Sequence, residues 1–86
     1  MSYRFDYIFM MSKSNKVKNI IAETLRIPPE AVTEELGIGS IPQWDSMGNM
    51  AIIAALEEHL GIEVPIEDLF DLNSVSAIID EIEKIS

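Results

Sequence analysis

The sequence predicts an all-α fold: a four-helix bundle with three longer helices, one short helix and a long loop between the first two. Apolar residues recur at spacings of three and four in three separate segments, as on one face of a helix. No segment keeps the strict alternation that is typical of a half-buried strand. The length of 86 residues, of which 48% are hydrophobic, fits one domain with one small core.

The first helix begins near two residues that favour helix starts, so Ser14 or Asn15 is expected as its cap. Its apolar face is formed by Val17, Ile20, Ile21, Thr24 and Leu25. The pair Pro28-Pro29 is incompatible with a continuing helix and predicts its end.

The connection that follows is longer than the few residues usual between elements. It runs through TEELGIGSIPQW and contains Gly37, Gly39 and Pro42. Its length indicates either a function or a path across the bundle. Four apolar residues are candidates for fixing it to the core: Ala31, Val32, Leu36 and Ile38.

The second helix is predicted from Ser46 to Leu60, with Gly61 ending it. It carries two apolar stripes. The first stays apolar to the helix end and is assigned to the core: Asn49, Ile52, Ile53, Leu56 and Leu60. The second is predicted to be at least partly exposed and to suit varied partners, although its methionines could instead fill the rim of the core. It comprises Met47, Met50, Ala51 and Ala54 and ends at Glu58.

A short third helix is predicted after Pro65, and a fourth after a cap at Asn73 or Ser74. The short helix is expected to turn Ile66, Leu69 and Phe70 inward. The fourth helix has a buried face formed by Val75, Ile78, Ile79 and Ile82.

Charge is unevenly distributed, with a net charge of −9. Residues 27–83 contain thirteen Asp and Glu but no Lys or Arg. Such a field repels nucleic acid and anionic membranes. It either attracts basic protein surfaces or serves solubility alone, as in many small acidic domains. No stretch is apolar for long enough to span a membrane. A cytoplasmic location is expected by default, and the chain is expected to be monomeric.

Residues 1–12 are interpreted as an N-terminal extension, either disordered or lying against the folded domain predicted over residues 13–86. The aromatic run YIFMM is interrupted upstream by Arg4 and Asp6 and lacks the cleavage site of a signal peptide.

No catalytic or metal site is expected. There is no cysteine, and the single histidine, His59, lies about 20 Å along the second helix from Ser46. Ser46 itself stands at a helix N-terminus, where backbone N–H groups favour an anion. Its simplest role is a helix cap. Capping does not explain the long loop, the exposed apolar stripe and the acidic charge together.

Three segments of the chain resemble the acyl carrier protein family, which includes peptidyl and D-alanyl carriers. The first is DSM at residues 45–47, followed by ALEEHLGIEVP at 55–65 and NSVSAIIDEI at 73–82. The resemblance covers residues 14–84. It implies the four-helix bundle of that family.

The resemblance also implies a function. Family members carry 4'-phosphopantetheine on the serine that corresponds to Ser46, placed there by a phosphopantetheinyl transferase. They hold acyl or aminoacyl groups as thioesters for ligases, acyltransferases and synthases, and they are not enzymes. Partners are expected to contact seven residues of the second helix and the loop before it: Trp44, Asp45, Met47, Met50, Ala51, Ala54 and Glu58. For Trp44, a ring packed over the loop and the helix start is the alternative.

Some positions differ from the typical family pattern. Carriers of fatty acid synthesis usually have acids where this chain has Gly48, Asn49 and Ala51. Trp-Asp-Ser is similar to specialised stand-alone carriers, and Met-Gly after the serine to D-alanyl carriers. A specialised pathway is therefore expected. The competing hypothesis is an acidic helical adaptor that binds a basic protein without a prosthetic group.

Overall fold

The computed structural model describes residues 11–85 and contains three α-helices and two short 3₁₀ segments. The helices are α1 (Lys13–Leu25), α2 (Ser46–Leu60) and α3 (Val75–Ile85). The 3₁₀ segments are Pro29–Ala31 and Ile66–Asp71. Over this range there is no β-strand, only an isolated bridge between Gly37 and Ser74. The predicted all-α bundle is confirmed, and its short helix is the second 3₁₀ segment. The predicted N-terminal extension falls mostly outside the described residues.

The core forms where α1 packs against both α2 and α3. The apolar faces predicted for these helices supply most of it. Residues 0% exposed include Val17, Ile21, Ile52, Leu56 and Ile78. None of the helices between residues 11 and 85 combines the length and apolar character needed to cross a bilayer.

The structure shows which residues cap the starts of α1 and α3. The cap of α1 is Ser12, whose Oγ accepts a hydrogen bond from the backbone N of Asn15 at 3.2 Å. The prediction of Ser14 or Asn15 was therefore wrong, because three potential caps stand close together and the helix takes the earliest. The cap of α3 is Ser74, one of the two residues predicted, and its Oγ accepts from Ala77 N at 3.1 Å.

The long connection, residues 26–45, is fixed by backbone hydrogen bonds to the start of α3. The backbone N of Ile38 donates to Asn73 O at 2.9 Å, and Val75 N donates to Leu36 O at 2.9 Å. Of the four apolar residues expected to hold it, Val32 is buried and Leu36 is half-buried, whereas Ala31 and Ile38 are exposed. The loop therefore follows a defined path from α1 to α2, mainly through its backbone.

The 3₁₀ segment Ile66–Asp71 does not turn its apolar residues inward as predicted. Ile66 is 75% exposed and Phe70 is 86% exposed, while Leu69 is half-buried. The prediction assumed an α-helix, in which positions 66, 69 and 70 share a face. In a 3₁₀ segment, with three residues per turn, Phe70 no longer shares a face with Ile66 and Leu69. Ile66, the first residue of the segment, is exposed as well, and the buried residue is Leu72, which directly follows the segment.

Lys84 connects this 3₁₀ segment to α3. Its Nζ lies 3.2 Å from Glu81 Oε1 and 3.6 Å from Asp68 Oδ2. Glu81 is only 6% exposed, and its Oε2 has no hydrogen-bond partner within the described part of the chain. The hydrogen bond to Glu81 and the charge of Asp68 raise the pKa of Lys84 above its ordinary value of 10.5.

We expect Lys84→Met to lower stability at neutral pH, because it leaves the buried carboxylate of Glu81 without its cation. A raised pKa in the folded state means that the lysine stabilises the fold below pH 10.5 and that this contribution is lost as the pH rises above that value. The difference in unfolding free energy between wild type and Lys84→Met, measured by urea unfolding, should therefore be constant between neutral pH and pH 10.5. It should shrink as the pH rises above 10.5.

Lys18→Met is the matched control, since Lys18 pairs at 3.7 Å with the exposed carboxylate of Glu34, which water can solvate. A Lys84→Met defect that matched this control, or that grew in strong alkali, would contradict the assignment.

Candidate functional site

The site is built around the start of α2, where Asp45 is the N-cap. Its Oδ1 accepts a hydrogen bond from the backbone N of Gly48 at 2.8 Å, and its backbone O accepts from Asn49 N at 2.8 Å. Ser46 is thereby released from capping and becomes the first helical residue, with an exposed side chain. The helix ends as predicted at Gly61, which adopts φ 64. The hydroxyl of Ser46 is therefore accessible at the positive end of a four-turn helix.

Gly48 permits the preceding loop to approach the first turn of α2. A Cβ at this position would lie 2.5 Å from the backbone O of Gln43 and 3.4 Å from a methyl group of Leu25. A side chain here would have to displace backbone atoms. The glycine thus holds the loop and the end of α1 close to the helix start that carries Ser46.

Trp44 was expected from the sequence to contact partner proteins, but the structure buries its side chain. Its side chain is 0% exposed, and its Nε1 donates a hydrogen bond to Asn49 Oδ1 at 2.8 Å. The ring is part of the core beneath the helix start, which was the alternative considered for it. A fully buried side chain cannot meet a partner surface directly, and the polar contact of the indole is with Asn49 on α2.

Asn49 has a role that the sequence interpretation did not identify. Besides accepting from Trp44, its Nδ2 donates to the backbone O of Leu72 at 3.0 Å. Its amide group therefore joins the loop before α2 to the chain that follows the 3₁₀ segment. The sequence did contain a signal for this role, because Asn49 is the single polar residue in an otherwise apolar stripe and follows Trp44 by five residues.

The second stripe of α2 forms an exposed surface, which we call the recognition face: Met47, Met50, Ala51, Ala54 and Glu58. All five residues are exposed, with Met47 at 81% and Met50 at 55%. The alternative that the methionines fill the rim of the core is therefore wrong for this structure. Asp45 is also exposed, beside this face. Exposed methionines give a surface that can adapt to different apolar contacts.

An apolar groove of about 480 Å³ opens beside Ser46, between α2 and the 3₁₀ segment. It is lined by Ile38, Ser46, Asn49, Met50, Ile66, Leu69, Phe70 and Asn73. Four of these are among the large exposed hydrophobic residues of the described chain. Ile66 and Phe70, which the sequence placed in the core, instead form a wall of this groove.

The described residues offer no candidate metal site, and the single histidine lies far from Ser46. No group of three or more His, Asp or Glu within residues 11–85 is arranged to hold a metal ion. His59 lies in the last turn of α2, at the opposite end from Ser46.

Comparison with known proteins agrees with this geometry. The family model described as "Phosphopantetheine attachment site" matches residues 15–82. An acyl carrier protein of Thermosynechococcus vestitus is 37% identical over 65 residues, which cover 76% of this chain and 80% of that protein. The chain belongs to the acyl carrier protein family. Acyl carrier proteins are carriers and not enzymes, and they bear a covalently attached 4'-phosphopantetheine.

The start of α2 in this carrier fits such a group in two respects. An exposed hydroxyl stands where the N–H groups of a helix start favour a phosphate. An apolar groove of about 480 Å³ opens beside the same residue. Ser46 is exposed to solvent, as a residue that is modified after folding must be.

Proposed function

We propose that this carrier holds an acyl or aminoacyl group as a thioester on a 4'-phosphopantetheine arm attached to Ser46. The observation that carries the proposal is the exposed Ser46 at the start of α2, beside an apolar groove. The arm supplies the thiol that a chain without cysteine lacks. Tethering raises the local concentration of the cargo at each enzyme that the carrier visits.

The residues around Ser46 have distinct parts in this proposal. Asp45 takes over the capping of α2, so the serine hydroxyl need not serve the helix. The backbone N–H groups of Ser46 and Met47 lie at the positive end of the helix, where they favour the phosphodiester that modification creates. Trp44 and Gly48 hold this helix start against the loop from beneath.

Partners are proposed to bind the recognition face together with Asp45. These partners are a phosphopantetheinyl transferase, an acyl or aminoacyl ligase, and an acyltransferase or synthase. Met47 and Met50 offer the apolar part of the contact, and the acids of residues 27–83 attract a basic partner surface. Complexes of this kind should weaken as salt is added. Trp44 is not included among these contacts, because its side chain is buried.

A specialised pathway is proposed instead of general fatty acid synthesis. The first turn of α2 contains no acid, because Gly48 is needed for packing and Asn49 for hydrogen bonding. A partner that required acids at these positions would find none. The cytoplasmic location and monomeric state expected from the sequence are retained as proposals.

The test is intact-mass measurement after incubation with a broad-specificity phosphopantetheinyl transferase, coenzyme A and Mg²⁺. We expect the full-length protein to gain the mass of one phosphopantetheine group. A known carrier converted in parallel is the control. If that control is loaded while this chain keeps its mass, the carrier proposal fails and the acidic adaptor remains.

A further inference from the structure

Asn49 lines the groove beside Ser46 and makes hydrogen bonds to two other segments of the chain. Its Oδ1 accepts from Trp44 Nε1 at 2.8 Å, in the loop before α2. Its Nδ2 donates to the backbone O of Leu72 at 3.0 Å, directly after the 3₁₀ segment. A carboxamide is the side chain that can accept at one atom and donate at the other. Neither aspartate nor a hydrophobic residue of similar size could make both bonds.

The 3₁₀ segment depends on such hydrogen bonds because its large apolar side chains are mostly exposed. Ile66 and Phe70 are largely exposed, so apolar packing holds the segment weakly. Helix α2 instead binds the chain on either side of it. At its start, Glu57 Oε2 accepts from the backbone N of Val64 at 2.9 Å. At its end, Asn49 binds Leu72, and this second connection is the one next to Ser46.

We infer that Asn49 is a positioning residue that holds the 3₁₀ segment against α2 and thereby sets the width of the groove beside Ser46. The inference rests on the proposed function for its consequence, because the groove begins at the residue to which the arm is attached. Leu69 and Phe70 form the wall of the groove that this bond holds. Loss of the bond to Leu72 releases that wall.

Two substitutions each remove one of the two hydrogen bonds. Asn49→Asp keeps an acceptor for Trp44 Nε1 but loses the donor and turns a carboxylate oxygen toward the backbone O of Leu72. Trp44→Phe removes the Nε1 donor, keeps a ring in the core and leaves the bond to Leu72 intact. Both should lower global stability, yet only Asn49→Asp should loosen the groove wall. The pair therefore separates positioning from general destabilisation.

The first measurement uses the unmodified full-length protein and native-state hydrogen exchange by NMR. The backbone N of Leu72 donates to Leu69 O at 3.2 Å and reports the end of the 3₁₀ segment. Ile21, in the core of α1, reports global opening. In Asn49→Asp we expect the exchange rate of Leu72 to rise relative to Ile21 by roughly tenfold. In Trp44→Phe the ratio should stay at its wild-type value.

The second measurement uses the loaded protein with an octanoyl thioester as the probe. Hydroxylamine cleavage should be several-fold faster on Asn49→Asp than on wild type, since the probe loses contacts with the groove wall. Cleavage on Trp44→Phe should match wild type. Equal rates on all three proteins, or an equal rise in both variants, would overturn the inference. A wild-type protein that takes no prosthetic group would overturn the proposed function, while the exchange measurement would still decide the role of Asn49.

Discussion

Ser46→Ala is expected to fold as stably as the wild type and to take up no phosphopantetheine at all. The side chain is exposed, and the cap of α2 is supplied by Asp45, so removing the hydroxyl should change the free energy of unfolding by less than about 0.5 kcal/mol. Loading should be abolished, because the phosphodiester needs the oxygen of residue 46. The expected result is a normal urea unfolding curve together with an unchanged intact mass after treatment with transferase and coenzyme A.

Ser76→Ala is the matched control. Ser76 is another exposed serine near a helix start, the second residue of α3. The Ser76→Ala protein should therefore take up phosphopantetheine at the wild-type rate. Uptake of the arm by Ser46→Ala would place the attachment on another residue. A large loss of stability in Ser46→Ala would mean that the hydroxyl serves the helix after all.

The start and end of α2 could be predicted from the sequence because local signals agree there. Asp45-Ser46 offers capping side chains, the apolar spacing begins directly afterwards, and Gly61 ends it with a positive φ. The exposure of the recognition face followed from the same spacing, since a charge at Glu58 interrupts one stripe while the other stays apolar. Local signals therefore predicted that Ser46 lies at the helix start, whereas its role as cap or attachment site stayed open until the structure gave the cap to Asp45.

The groove could not be predicted, because it depends on a choice between two helical geometries. Over six residues the α and 3₁₀ patterns cannot be separated by spacing, and Phe70 is exposed in the 3₁₀ form that the chain adopts. The role of Asn49 was hidden for a different reason. Its partner Leu72 lies 23 residues along the chain, and such a contact is set by tertiary packing. Trp44 was ambiguous because a ring beside an exposed motif can face either way.

Trp44→Ala is expected to cause the largest loss of stability of any substitution near the site. The indole is 0% exposed, and truncation would leave a large cavity under the start of α2. Replacing a buried tryptophan by alanine typically costs about 3–5 kcal/mol. It would also remove the donor to Asn49 Oδ1. An 86-residue domain has little stability in reserve, so much of the population should unfold at room temperature.

The loss of stability should increase with the number of buried atoms that a substitution removes, and removing exposed atoms should have little effect. Trp44→Phe keeps much of the ring and should lie between wild type and Trp44→Ala. Met47→Ala truncates a large side chain that is 81% exposed on the same helix start and should change stability by less than about 0.5 kcal/mol. Far-UV circular dichroism during urea unfolding is the suitable measurement, because substituting Trp44 removes the only tryptophan. If Trp44→Ala unfolded at the same urea concentration as Met47→Ala, the indole would not be part of the core, and its direct contact with partners would again be the better interpretation.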